Sequence, residues 1–320
     1  MLSFTLEEIH SHLAEILQTK RFEITPIGNH ELGRHLVYKV LQPVKAPLVF
    51  KLYFKHNRRL RELASLNQLA GTSVKCARIG GAGTLPDGTE WLLSTFIPGQ
   101  ILDQIWDRMN LQEEQQMFED LGDELGKIHA AAIFDFFGHW DEQGRSLHGI
   151  QRYYTEFVRS SEYVFRHLQC QDLPEKVLLN RAISIIRRHY HLMTDITESR
   201  LTHHDYDGRN ILVDRTGQGW TIKGIIDFEQ SYPGNSEVDL AGIYARYLMG
   251  TTHRDESFFR GYQKHLPVDP LFFCRLPYYL LCKGVVICSW TYQQAPDYYQ
   301  EGLRLVERFH TLVEDEICLY

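Results

Sequence analysis

The feature that most constrains the fold is a change of hydrophobic period at Pro98-Gly99. Before it, Phe22 to Ile27, Leu36 to Gln42, Leu48 to Tyr53, Arg78 to Gly83 and Trp91 to Phe96 read as strands, interrupted by a helical run at Asn57 to Leu69. After it, a period near 3.6 dominates, in Glu113 to His129, Ile150 to Leu168, Glu175 to Met193, Ala241 to Met249 and much of Leu271 to Cys318. Thr5 and Glu8 form a capping-box pattern that opens one more helix, with Ile9, Leu13, Ile16 and Leu17 at helical spacing. Strands first and helices afterwards imply an α+β chain with a strand-rich lobe, residues 1–97, and a helix-rich lobe, residues 98–320. No internal repeat, low-complexity tract or linker interrupts this order.

At 320 residues the chain can bury a sizeable core. No uninterrupted apolar run reaches bilayer length, and Glu7 and Glu8 stand where a signal peptide would be basic and then apolar, so a cytoplasmic location and no membrane partner are expected. The six cysteines, at 76, 170, 274, 282, 288 and 318, lack C-x-x-C spacing, which suits reduced thiols better than a disulfide frame or a zinc site. Charge divides with the lobes. Residues 1–97 carry 12 Lys and Arg against 8 Asp and Glu, a net +4, whereas residues 98–320 carry 22 against 33, a net −11. A basic first lobe suits a polyphosphate; an acidic second lobe suits a cationic small molecule and repels nucleic acid. Solvated acidic helices such as Glu113 to Glu124 account for part of the excess.

His203-His204-Asp205-Tyr206-Asp207-Gly208-Arg209-Asn210 places an Asp and an Asn five residues apart, and Asp227 follows a hairpin-like segment. In phosphoryl transfer of the H-x-D-x-x-x-x-N kind, the Asp receives the substrate hydroxyl while the Asn and a later Asp hold Mg²⁺ against the phosphates. Reversal of the chain about Gly217 would set Asn210 opposite Gly224 and Asp227 three residues further on, roughly 10 Å at strand rise. The competing chemical reading, a metal site of His203, His204 and Asp205, is weaker, because adjacent residues of extended chain point to opposite faces. His203 is expected to pack inward and bond the loop backbone. Ordinary turn and capping roles for these residues are the bland alternative.

On the phosphate side, the turn between Gly28 and Gly33 has Walker-like glycine spacing but leads into the strand Leu36-Val37-Tyr38-Lys39-Val40, so it reads as a hairpin turn over phosphates or a plain surface turn. Lys51 lies in the apolar strand Val49 to Tyr53, and a buried ammonium needs a partner. Glu62, near the apolar boundary set by Leu63, Leu66 and Leu69, is the expected one.

These residues together resemble the aminoglycoside phosphotransferase and choline kinase superfamily, small-molecule relatives of protein kinases, over nearly the whole chain. Leu201-Thr202-His203-His204-Asp205 with Asn210-Ile211-Leu212-Val213 looks like that family's catalytic loop, and Gly224 to Glu229 like its metal-binding strand end. The resemblance implies a bilobal protein-kinase-like fold, ATP or GTP as co-substrate and Mg²⁺. By it, Asp205 is the catalytic base, Asn210 and Asp227 hold the metal, Lys51 and Glu62 orient phosphates, and Ser94 to Pro98, with Phe96 and Ile97, form the adenine-contacting hinge. The buried Asp239 of Asp239-Leu240-Ala241 braces the catalytic loop with His203, and Leu121 to Ala130 match the family's helix ending in Leu-x-x-x-His-Ala. Two departures concern the acceptor: His204 replaces a small residue, and Tyr206 to Arg209 lacks the usual His-Pro-Gly flavour. A protein acceptor is not expected, because Phe228-Glu229 follows Asp227 where protein kinases have Phe-Gly, no Ala-Pro-Glu segment appears, and eleven residues between Asp227 and Asp239 leave no room for an activation loop.

For the acceptor, the acids Asp207, Glu229 and Glu314-Asp315-Glu316 are candidates for holding a polycationic aminoglycoside. Trp290, Tyr292, Tyr298 and Tyr299 would line a pocket for choline or pack as core. A macrolide kinase and a nucleotide-binding pseudokinase complete the alternatives; the retained Asp205, Asn210, Asp227 and Lys51 argue against the last. Nothing in the sequence sets the oligomeric state.

Overall fold

A computed structural model of the chain describes residues 4–28, 30, 33–217 and 219–316, with side chains through residue 314. In chain order the elements are α1 (Leu6–Leu17), β1 (Glu23–Pro26), β2 (His35–Leu41), β3 (Leu48–Tyr53), α2 (Arg58–Leu69), β4 (Ile79–Thr84), β5 (Glu90–Thr95), β6 (Gln100–Ile101) and α3 (Leu111–Ala130). They continue with β7 (Ile133–Phe134), α4 (Tyr153–Gln169), α5 (Lys176–Arg188), β8 (Ser199–Thr202), β9 (Ile211–Thr216), β10 (Gly219–Ile225), β11 (Tyr232–Gly234), α6 (Glu237–Ile243), α7 (Thr252–Tyr262), α8 (Phe272–Thr291) and α9 (Pro296–Glu316). Two compact units result. The first comprises Met1–Met117, Trp140–Arg145 and Gly208–Ser231; the second comprises Phe118–His139, Ser146–Asp207 and Tyr232–Tyr320.

The first unit is built on a five-stranded antiparallel sheet of order β1-β2-β3-β5-β4. Helix α1 starts at the expected capping box, in which the Thr5 side chain accepts from the Glu8 N–H and the Glu8 carboxylate accepts from the Thr5 N–H. Its Ile9 and Leu13 share one buried cluster with Phe22, Val40, Phe50 and Leu52. Because strand side chains alternate, Phe50 and Leu52 in that cluster direct Lys51 to the other face of β3, toward α2. A second small sheet, β10-β9-β6, joins this unit, since Gln100 and Ile101 pair with Val213 and Leu212. That pairing carries residues 98–101 and the 211–225 hairpin into the first unit, beyond the division expected after residue 97.

The second unit is mainly helical, with α8 and α9 packed along each other and α4 and α5 against them. Helix α8 is long and apolar enough to cross a bilayer by length and composition, but 67% of that window is buried inside the unit, as in a core helix. In a short sheet of order β11-β8-β7, the central strand β8 leads into the loop at His203. The helical run expected from Ala241 begins earlier, at Glu237, and ends in a π-helical turn, Tyr244–Leu248. Helix α7 escapes the sequence reading because the adjacent Phe258 and Phe259 blur its period and Gly261 imitates a breaker.

Gly261 is instead a contact. Helices α3 and α7 meet where Gly122 faces the Phe258 carbonyl and Gly261 faces the Glu119 carbonyl, and a β-carbon on either would overlap backbone. Backbone on both sides cannot yield as a flexible side chain would. Gly122→Ala is therefore expected to destabilise the protein by about 1–3 kcal/mol despite its better helix propensity; a denaturant midpoint at or above the parent's would refute the close approach.

Candidate active site

In the first unit, Lys51 is 7% exposed, and its Nζ lies 2.9 Å from Glu62 Oε2, 2.6 Å from Asp227 Oδ1 and 3.0 Å from Glu229 Oε2. The expected Lys51–Glu62 pair is thus present and enlarged. The Tyr53 hydroxyl donates to Glu62 Oε2 at 2.6 Å, Arg58 Nη1 donates to Glu229 Oε1 at 2.6 Å, and His35 Nδ1 lies 3.4 Å from Glu229 Oε2. Burial works against the Lys51 charge, but the facing carboxylates of Asp227 and Glu62 outweigh it and raise its pKa well above the ordinary value. Burial likewise opposes the Glu229 carboxylate, yet Lys51, His35 and Arg58 hold its pKa well below the usual range.

Asp227 follows β10 in the left-handed region, at φ +66°. The β9–β10 hairpin differs in register from the sequence reading: Thr216 faces Gly219, and an irregularity between Ile222 and Gly224 shifts the pairing so that Ile211 faces Ile225. The turn is one residue longer than a reversal at Gly217 would make it, and the bulge adds another residue. The Ile226 N–H consequently donates to the Asn210 carbonyl at 2.9 Å, and Asp227 is one residue beyond that contact instead of three beyond Asn210's partner. Ligand oxygens of Glu62, Asp227 and Glu229 lie within 4.8 Å of one another, gathered around the Lys51 ammonium that contacts all three. Glu229, expected on the acceptor side, belongs to this cluster.

The glycine turn joins β1 to β2, with Gly28 and Gly33 at φ +76° and +59°. Between them His30 Nε2 lies 3.0 Å from the carbonyls of Ile27 and Val37, which ties the ends of the turn together. Ser94 is buried near the end of β5, paired with Val49; the Phe96 N–H donates to the Pro47 carbonyl, and the Phe96 ring carries Lys39 Nζ 4.2 Å above its centroid. Ile97 packs on Gly224.

In the second unit, the loop after β8 is held from behind. Asp239 accepts the His203 N–H at 2.6 Å and the His204 N–H at 2.7 Å, and the Asp205 N–H donates to His203 Nδ1 at 3.3 Å. His203 is fully buried, bonded to the loop backbone, and His204 stacks on Tyr232 with ring centroids 4.0 Å apart. Burial alone would raise the Asp239 carboxyl, but the hydrogen bond from His129, with His204 and His203 nearby, holds its pKa well below the usual range. Asp207 is nearly buried and lies 3.8 Å from Arg246 Nε, whose Nη1 is 3.4 Å from Glu301. Glu314, expected to face a cation, instead bridges Arg181 at 2.8 Å and Arg188 at 2.7 Å, tying α9 to α5. The side chains of Asp315 and Glu316 lie outside the described residues. Trp290 and Tyr298, and Tyr292 and Tyr299, pair between α8 and α9, with Tyr299 only 2% exposed.

Folds of this kind recur among phosphotransferases. Aminoglycoside phosphotransferase APH(4)-Ia superposes with a TM-score of 0.72 at 14% identity, over 98% of this chain and 99% of that one. A thermostable mutant of the same enzyme, in ternary complex with AMP-PNP and hygromycin B, gives 0.71 at 14% identity over 96% and 98%. The GDP complex of aminoglycoside 2'-phosphotransferase-IIIa gives 0.66 at 17% identity over 95% and 98%. These likenesses establish a protein-kinase-like fold of the aminoglycoside phosphotransferase type. No curated protein matches the chain significantly. Residues 24–271 match the model of the phosphotransferase enzyme family, and the chain belongs to that family.

Asp239 also gives the stability a defined pH dependence. Its folded pKa lies below the ordinary value of about 4, so its contribution is full above that value and is lost as pH falls through the folded pKa. Asp239→Asn should therefore be less stable than the parent at pH 7, and the gap should narrow as pH drops below about 4. Denaturation curves with a gap that is constant across this range would contradict the assignment.

Proposed function

We propose that this protein transfers the γ-phosphoryl group of ATP or GTP to a hydroxyl group of a small cationic molecule, with an aminoglycoside as the first candidate. The observation that carries the reading is the buried Lys51 ammonium, held within 3.0 Å of Glu62, Asp227 and Glu229 in the unit that also contains the hairpin after Asn210. Family membership supplies the reaction class, and the −11 charge of residues 98–320 supports a cation.

In this reading Lys51, oriented by Glu62 and Tyr53, binds the phosphates; the turn from Gly28 to Gly33 covers them; Ser94, Phe96 and Ile97, in the segment 94–98, contact the adenine. Asn210 and Asp227 would hold Mg²⁺, with Glu229 and Glu62 adjacent, and the ion would neutralise charge on the transferring phosphoryl group. Asp205 orients the acceptor hydroxyl and receives its proton. Asp207 is the acid placed to meet a cationic acceptor, and Glu314 is left out because two arginines engage it. The pairing of Trp290, Tyr292, Tyr298 and Tyr299 between helices gives choline no specific support. Cys76, Cys170, Cys274, Cys282 and Cys288 are free thiols, in keeping with a reducing cytoplasm.

The test is nucleotide consumption with a panel of aminoglycosides, macrolides, choline and sugars, with ATP and GTP each supplied with Mg²⁺. Turnover is expected with at least one hydroxyl acceptor, and Asp205→Ala should lower kcat by on the order of 10²–10⁴-fold. Lys51→Met should raise the nucleotide KM and lower kcat together. A panel without turnover, or an Asp205→Ala variant equal to the parent, would remove the enzymatic reading.

A further inference from the structure

The loop backbone before Asp205 is held by Asp239, and the geometry of Asp239 is set one step further back. Helices α3 and α7 approach so closely that a β-carbon on Gly126 would lie 2.9 Å from the Tyr262 carbonyl oxygen. That approach brings the Tyr262 hydroxyl to 2.9 Å from His129 Nδ1, while Nε2 of the same ring lies 3.1 Å from Asp239 Oδ2. His129, Tyr262 and Asp239 are 0%, 2% and 2% exposed, so solvent cannot replace any bond of the chain.

The partners decide where the protons lie. A neutral imidazole has one N–H and one acceptor nitrogen. Asp239, ionised and already accepting two backbone N–H groups, can only accept, so the ring proton belongs on Nε2. With the ring proton on Nε2, Nδ1 can only accept, so the Tyr262 hydroxyl 2.9 Å away is its donor. His204 needs this support, because it stands at φ +62°, a conformation that a β-carbon disfavours, and its N–H is one of the two that Asp239 holds.

We infer that Tyr262 fixes the Nε2–H tautomer of His129, and that the two act through Asp239 as positioning residues for the backbone leading to Asp205. Neither touches a substrate. The assignment of protons stands on the geometry alone, whereas the effect on turnover rests on the phosphotransferase reading given above. Outer-shell partners of this kind typically change activity by 10–100-fold when removed.

The experiment is long-range ¹H–¹⁵N spectroscopy of the histidine rings in the full chain, parent and Tyr262→Phe, combined with kinetics on an acceptor found in the panel. The parent should show the His129 proton on Nε2, and Tyr262→Phe should show a mixture of tautomers. Its kcat should fall roughly 10-fold with the nucleotide KM unchanged. His129→Gln, whose amide can still donate to Asp239, should recover most of what His129→Leu loses. A parent ring protonated on Nδ1, or on both nitrogens at neutral pH, overturns the tautomer assignment; a Tyr262→Phe variant with parental kcat overturns the positioning role. Should His129→Leu fail to fold, Tyr262→Phe, which removes one oxygen, decides the matter. A chain inert toward every acceptor overturns the phosphotransferase reading and the positioning role with it, while the ring spectrum still decides the tautomer.

Discussion

The first unit is organised around the charge of Lys51. An ammonium group removed from water is costly unless carboxylates meet it, and loss of one member of such a buried pair typically costs about 3–5 kcal/mol. Here the compensation comes from three directions: Glu62 on α2, and Asp227 and Glu229 just after β10. The strand, the helix and the hairpin are therefore held in register by one charge. Arg58 adds positive charge at Glu229, so the acids gathered around Lys51 do not merely repel one another. The arrangement that suits phosphate binding is thus also a condition for packing these elements together.

A second buried charge plays the corresponding part in the second unit. Asp239 has both oxygens engaged by backbone N–H groups of His203 and His204, and His129 behind it adds a third hydrogen bond. Both clusters follow the same rule: a charge is buried where it can fix backbone that no hydrophobic contact would orient. The loop from His203 to Asp205 carries polar residues, a left-handed His204 and little apolar surface, so hydrogen bonds to a rigid acceptor are the available means of ordering it.

Much of this was legible where it depended on local pattern. The capping box at Thr5 and Glu8, the strands around Lys51 and the α2 face bearing Glu62 follow from periodicity and from the need of a buried lysine for a partner. Partners contributed from far along the chain were not. Arg58 reads as one of several helix-surface arginines, His35 as a polar strand end, and Tyr262 as a tyrosine beside a breaker, because nothing local marks the elements that approach them. The hairpin register failed for a different reason: the turn holds one residue more than a reversal at Gly217, and a bulge between Ile222 and Gly224 adds another, for which Gly224 within the strand was the available signal.

Net charge needs the same attention to partners. The −11 of residues 98–320 counts acids that the fold has already committed: Glu119 to Arg260 and Lys264, Asp123 to Lys127 and His265, Glu162 to Arg187, Glu237 to Arg275 and Glu314 to Arg181 and Arg188. Such pairs cancel at short range, and beyond a Debye length of about 8 Å the remaining field is screened at physiological salt. Attraction of a cation at long range and its recognition at contact are therefore separate matters. In the reading proposed above, contact recognition would fall to acids near the loop itself, where Asp207 lies 3.8 Å from Arg246 and Arg246 lies 3.4 Å from Glu301. For a cationic acceptor as proposed above, the acidic composition would bear on the rate at which it arrives, and acids at the loop on whether it stays.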